Sequence, residues 1–300
     1  MKTFLIKIAR YCFIVFVLIN ILSWGCLYFL RNSSFYKPEF LTHEIKDKSF
    51  DYIVIGSSIG LTSVDTKCID SLDHVKGINL SIDDTSTSSN YLMLEHFFQQ
   101  GGKANYCILS LSSWDLAVTH PRINNNDYRF LPFVSNDYVY HYYDSMEDGF
   151  FKPLTYSHYL PCLGVCYYNT EVFYPSLVTV CQPNKRNRFD DKGDYCYPPT
   201  GVEIKHKHKE VVLHWNNPFL NKIKALCQAH HTKLIVYQAP VVNTTIVNTN
   251  KSYNFINHST LLQPQEGFYD EVHLDVNGRK IASTVLAKDL IKEYFKKNEQ

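Results

Sequence analysis

Short apolar runs rich in β-branched residues alternate with helical periods along much of the chain. Tyr52, Ile53, Val54 and Ile55 form one such run, which predicts a strand buried on both faces. Lys76 to Leu80 and Tyr106 to Leu111 predict two more. Between them, GSSIG opens a helix toward Leu72. Asn90 to Gln100 carries Leu92, Leu94, Phe97 and Phe98 near helical spacing and stops at Gly101-Gly102. Alternation resumes with a helix at about Pro218 to His230 and a strand at Lys233 to Gln238. A short strand is expected around Tyr253 to Ile256. A last helix is expected from Asp275 to about Lys296, with Asp275 as its N-cap and Ile281, Val285, Leu286, Leu290 and Ile291 toward the core. Strand and helix in strict alternation predict an α/β fold, a parallel sheet with helices on both faces.

Two stretches break this rhythm. Tyr11 to Leu30 holds about twenty residues without a charge, enough to cross a ~30 Å hydrocarbon core. Lys2, Lys7 and Arg10 precede it and Arg31 follows, so the positive excess places the amino terminus in the cytoplasm and the rest outside. A cleaved signal peptide and a lipid-modified Cys26 are the competing readings. The run is long for a signal, no small-residue cleavage site follows it, and Trp24 is bulky where a lipoprotein signal wants a small residue. The second break runs from about 117 to 216, rich in tyrosine, proline and asparagine and without a clear period. The expected organisation is an anchor at 1–31, a polar linker with Pro38 at 32–48, and an α/β domain at 49–300 with an irregular insertion at about 117–216.

Composition narrows the partners. The chain is 45% hydrophobic with a formal net charge of +1, which gives neither a disordered chain nor an electrostatic footprint for nucleic acid. Nine cysteines in an exported chain invite disulfides. Cys162, Cys166, Cys181 and Cys196 are the candidates, in any of three pairings. Their uneven spacing lacks a C-x-x-C pair, so no metal is expected there. His206 and His208 in KHKHK read as an exposed charged loop, and His230 and His231 as a helix end suited to an imidazole. No cofactor is expected.

The candidate chemistry lies at the two ends of the α/β pattern. Gly56 permits a sharp turn after the first strand, and Ser58 follows it at the strand's carboxyl end, where open α/β sheets bind ligands. A serine hydroxyl needs a base, and that base needs an orienting group. His273 and Asp270, three residues apart before the last helix, supply both roles.

GSS after the first strand together with D-x-x-H before the last helix resembles the SGNH/GDSL hydrolase superfamily. The last block continues as H-L-D-x-x-G through Leu274, Asp275 and Gly278. The resemblance implies a three-layer fold around a five-stranded parallel sheet. It makes Ser58 the nucleophile, in an oxyanion hole that its own N–H begins, with Ser57 at the family's aspartate position. At the second block, Asp84, or Ser81, stands where a glycine N–H serves the oxyanion hole. At the third block, Ser112 stands at the glycine and Trp114 at the asparagine, leaving only Asp115 unchanged. Loss of one oxyanion donor typically lowers the rate about 100- to 1000-fold. Similar departures occur in membrane-tethered relatives resembling alginate O-acetylation and wall D-alanylation proteins. Those imply acyl transfer to or from a cell-envelope polysaccharide, with a multi-span acyltransferase as a further partner. The alternative is a catalytically inactive glycan-binding or assembly protein on the same fold.

Overall fold

The computed structural model describes residues 1–199, 207–263 and 266–295. In chain order the helices are α1 (Lys2–Arg31), α2 (Lys37–Glu39), α3 (Ser58–Ser63), α4 (Thr66–Asp73), α5 (Thr87–Gln99), α6 (Ser113–Ala117), α7 (Asp137–Met146), α8 (Pro153–Tyr156), α9 (Cys162–Tyr167), α10 (Asn169–Cys181), α11 (Pro218–Ala229) and α12 (Val276–Glu293). The strands are β1 (Ser49–Gly56), β2 (Gly77–Asn79), β3 (Lys103–Ser110), β4 (Lys209–Val212), β5 (Lys233–Gln238), β6 (Thr244–Val247) and β7 (Asn254–Asn257). The chain divides into two compact units. Unit 1 comprises 1–46 and 127–187; unit 2 comprises 47–126 and 188–300.

Unit 2 is an α/β fold around a five-stranded, all-parallel sheet of order β2-β1-β3-β5-β7. All five strands expected from the apolar runs are present. Tyr52, Val54, Tyr106, Ile108, Ile235 and Tyr237 share one face, packed against Ile59, Val64, Ile69, Leu286 and Leu290 of the α3, α4 and α12 side. Alternation along the strands turns Ile53, Ile55, Cys107 and Leu109 to the other face, and α5 and α11 pack on that side. After β1 the chain builds β2 on one side and β3 on the other. Order therefore reverses between β1 and β3, and the crevice at their carboxyl ends is the topological switch point.

The helix expected from Ser58 to Leu72 is two helices. Val64 is extended, and its carbonyl accepts from Arg279 Nε and Nη2 at 3.2 and 2.9 Å. Asp65 restarts the helix by accepting from the Cys68 N–H at 3.0 Å. Arg279 also pairs with Asp194 at 3.1 Å, and that carboxylate accepts from Thr66 and Asn79. This buried network ties α4, β2 and α12 to the segment after 188. Unit 2 also contains a small parallel sheet, β4 with β6, that the apolar pattern did not reveal. Its β4 falls inside the stretch expected to be irregular.

Unit 1 departs furthest from the pattern. The stretch expected as a polar linker at 32–48 is largely buried up to Leu41, with Phe35, Tyr36, Phe40 and Leu41 in the core. Pro38 sits in the first turn of α2, the one helical position that loses nothing by lacking an N–H. The middle of the expected insertion is helical, α7 to α10, and α9 and α10 pack against α1. All nine cysteines are free thiols. Cys162, Cys166 and Cys181 belong to unit 1 and Cys196 to unit 2, so the expected bridge partners do not pair. α1 is long and apolar enough to cross a membrane, with mean hydropathy 2.3 over its most apolar window. By itself such a helix serves as an anchor or a signal sequence.

Candidate active site

Gly56 has a steric reason to be glycine. It lies beside Ser110 in the β1–β3 register, and a Cβ there would stand 2.2 Å from the Ser110 carbonyl oxygen. Gly60 is more loosely constrained, since its Cβ would stand 2.7 Å from the Ser81 hydroxyl and 3.2 Å from the Ser110 carbonyl oxygen. Between these close approaches, Ser57 N-caps α3 and Ser58 begins it, at the carboxyl end of β1.

The other half of the site is built by the turn before α12. Asp275 accepts from the N–H groups of Asn277 and Gly278 at 2.8 and 2.9 Å and so starts that helix. Gly278 lies against Gly267, whose carbonyl oxygen would be 2.0 Å from an added Cβ. The turn closes through the Tyr269 N–H to the His273 carbonyl at 2.9 Å. Asp270 Oδ1 accepts from the N–H groups of Val272 and His273, both at 2.9 Å. Its other oxygen, Oδ2, lies 2.7 Å from His273 Nδ1. A carboxylate only accepts, so this contact holds the imidazole proton on Nδ1 and leaves Nε2 as an acceptor. His273 Nε2 then lies 2.8 Å from Ser58 Oγ, within the range of an O–H···N bond.

Serine, imidazole and carboxylate thus form one hydrogen-bonded chain, though Ser58 and His273 are 215 residues apart. Burial raises the Asp270 carboxyl, but the His273 side chain and the two backbone N–H groups outweigh it and hold it below its ordinary value. His273 remains 18% exposed, so its ring can meet a substrate without being flooded by solvent. Tyr197 supports the group from another segment. Its ring lies 5.7 Å from the imidazole, stacks on Tyr269 at 4.0 Å, and its carbonyl accepts from the Val276 N–H at 2.9 Å.

Ser81 and Asp84 follow the carboxyl end of β2, and Ser112 and Trp114 follow that of β3. Asp84 has φ 52°, a left-handed conformation that glycine adopts freely and aspartate tolerates. Its carboxylate accepts from Asn125 at 2.8 Å. Among the described residues, the backbone N–H groups of Ser58 and Asp84 donate to no protein acceptor. Ser81 is buried, its N–H donated to Asn79 and its hydroxyl unpartnered among the described residues. Ser112 N-caps α6 and donates to Asp115 Oδ2 at 2.5 Å, while burial raises the Asp115 carboxyl against that bond. Trp114 stands 58% exposed on α6.

Trp114 belongs to a cavity of about 320 Å³ that local motifs did not reveal. Ile59 and Val272, the chain neighbours of Ser58 and His273, form one part of its wall. Val211, Val212 and Ile246 of the β4–β6 sheet form another. The walls are mainly apolar. The remaining histidines stand apart from this chain of bonds: His208 is exposed, His206 lies outside the described residues, and His230 stacks on Phe98 at 3.9 Å. No group of three or more His, Cys, Asp or Glu suited to a metal occurs among the described residues. No family model matches the chain, and no curated protein matches it.

Proposed function

We propose that this protein is a serine-dependent acyl ester hydrolase or O-acyltransferase of SGNH type, acting on a cell-envelope polysaccharide. The observation that carries the reading is the continuous hydrogen-bonded chain Ser58–His273–Asp270, with contacts of 2.8 and 2.7 Å. His273 Nε2 takes the hydroxyl proton as Ser58 Oγ attacks the acyl carbon. Asp270 stabilises the imidazolium that forms. Charge develops on the former carbonyl oxygen, and the N–H groups of Ser58 and Asp84 are its candidate donors. The imidazolium returns the proton to the departing alcohol, leaving an acyl-serine. Water or a sugar hydroxyl then enters by the reverse path, with His273 as base. The G-S-S and D-x-x-H blocks support the family and the glycan substrate. The charge-free run of α1, with its basic residues on the amino-terminal side, supports a single-pass anchor and an extracytoplasmic location for unit 2.

The second reading is a catalytically inactive, anchored glycan-binding protein. Trp114 favours it, because an exposed indole at the family's asparagine position offers a stacking surface and no carboxamide. Incubation with p-nitrophenyl acetate separates the two. Burst release of nitrophenol with a 1:1 acetyl adduct on Ser58 supports the enzyme. Absence of burst and adduct, with retained binding of an envelope glycan, supports the second reading.

A further inference from the structure

Between Lys152 and Lys185 the chain has one charged residue, Glu171. Within this stretch α10 inverts the usual arrangement of a surface helix. Its inward positions are Val172, Pro175, Ser176 and Thr179, two of them hydroxylated. After the exposed polar first turn of Asn169, Thr170 and Glu171, its outward positions include Phe173, Tyr174, Leu177 and Val180, all apolar or aromatic and 42% to 64% exposed. Water does not favour that arrangement; lipid does.

The contacts of α10 and α9 with α1 supply a depth scale, given that α1 crosses a bilayer. Ser176 Oγ donates to the Cys26 carbonyl at 3.1 Å, and the Cys162 N–H reaches Asn20 Oδ1 at 3.4 Å. At a rise of 1.5 Å per residue, Cys26 and Asn20 lie about 8 Å and about 16 Å below Arg31. The ends of α10 lie higher. The Glu171 carbonyl accepts from Tyr36, and the Pro183 carbonyl from the Ser34 N–H, both beyond the outer end of α1. The polar ends of α10 therefore sit at headgroup level and its middle dips beneath it, as an interfacial helix requires. Exposed Tyr159 and Leu160 continue the surface toward mid-bilayer, sharing a groove of about 370 Å³ with Phe16, Ile21 and Trp24 of α1.

The helix accommodates its internal proline. Pro175 has no N–H, so the Glu171 carbonyl loses its helical partner. Tyr36 Oη donates to that carbonyl at 2.5 Å. A proline inside a helix leaves that carbonyl free, and Tyr36 supplies the substitute donor where the polar end of α10 meets the outer end of α1.

We infer that α9 and α10, with the Tyr159–Pro161 turn, form a second membrane element: a non-spanning helical pair embedded in the outer leaflet beside α1, its apolar face covered by lipid acyl chains. The inference rests on α1 being a membrane span. The full chain in phosphatidylcholine–phosphatidylglycerol vesicles, containing a phosphatidylcholine with an acyl-chain diazirine, tests it by photolysis and peptide mapping. Phe173, Tyr174, Leu177 and Val180 should acquire lipid adducts in yields comparable with Phe13 and Phe16. Hydroxyl radicals generated in the water should oxidise Tyr174 several-fold less than Trp114, although the two are similarly exposed in the protein alone, 64% and 58%. Adducts on α1 with none on α10, whether α10 is oxidised from water or masked from both reagents by protein, would overturn the inference and leave the anchor intact. No adduct on either helix would instead remove the anchor.

Discussion

Units 1 and 2 both bury apolar side chains and some polar ones, but they differ in what they turn outward. Unit 2 hides β-branched runs in a sheet and leaves its reactive groups at the sheet's carboxyl edge. Unit 1 turns phenylalanine, tyrosine and leucine outward from α1 and α10 and buries Ser33, Glu39, Asp127, Arg129 and Ser176. The first is the rule of a domain in water; the second suits a body partly solvated by lipid. On the proposed membrane placement, one chain carries both because its two surroundings differ. A hydrophobic pattern read against water alone describes only one of them.

Substitutions can sharpen or break that contrast. The largest effect belongs to unit 2: Ser58→Ala or His273→Ala should lower ester turnover about 10⁴- to 10⁶-fold, and the double variant little further, since the two act as one unit. Steady-state kinetics check this. Asp270→Asn should lower turnover about 10⁴-fold by allowing the wrong imidazole tautomer. Because the folded carboxyl of Asp270 lies below its ordinary value, its contribution to stability is present above that value and is lost as pH falls through the folded one. The stability gap between wild type and Asp270→Asn should therefore close as acid titration proceeds below about pH 4.

Next is the buried ion pair of unit 2. Asp194→Asn removes the closer of the two carboxylates facing Arg279, leaving Asp65 at 3.9 Å, and should cost about 3 kcal/mol, read by denaturant unfolding. In unit 1, Tyr36→Phe strands the carbonyl freed by Pro175 and should cost about 1–3 kcal/mol, read by thermal unfolding in lipid nanodiscs. Glu39 supplies a smaller and opposite effect. Burial pushes its carboxyl well above the ordinary range, and among the described residues neither oxygen has a hydrogen-bond partner. The folded state therefore holds a proton that the unfolded state releases, and stability falls as pH rises above about 4.3 toward the folded value. Glu39→Gln should remove that fall and leave unit 1 more stable at neutral pH, as melting curves across pH would show.

What was legible followed from local signals. The five strands were readable because each is a compact apolar run. Ser58, Asp270 and His273 were readable because a glycine turn and an N-cap flag them within a few residues. The α10 helix was hidden by Pro175, a helix breaker whose lost bond is repaired by Tyr36, 135 residues from its partner. The buried stretch at 33–41 read as polar because Ser33, Ser34, Lys37 and Glu39 mark it so locally, and only packing in the folded unit buries them. β4 and β6 were hidden because Lys209-Glu210 and the Asn/Thr-rich flanks mask a two-stranded sheet. Tyr197 reaches His273 from a separate segment, and no spacing rule joins the two.

The central claim is that the Ser58–His273–Asp270 chain makes Ser58 a nucleophile. Intact-mass analysis and peptide mapping of the full chain after exposure to a fluorophosphonate test it most directly. The account expects one adduct per molecule, on Ser58, abolished in His273→Ala while unit 2 remains folded by circular dichroism. A folded protein whose Ser58 stays unmodified, or reacts equally without His273, would contradict it.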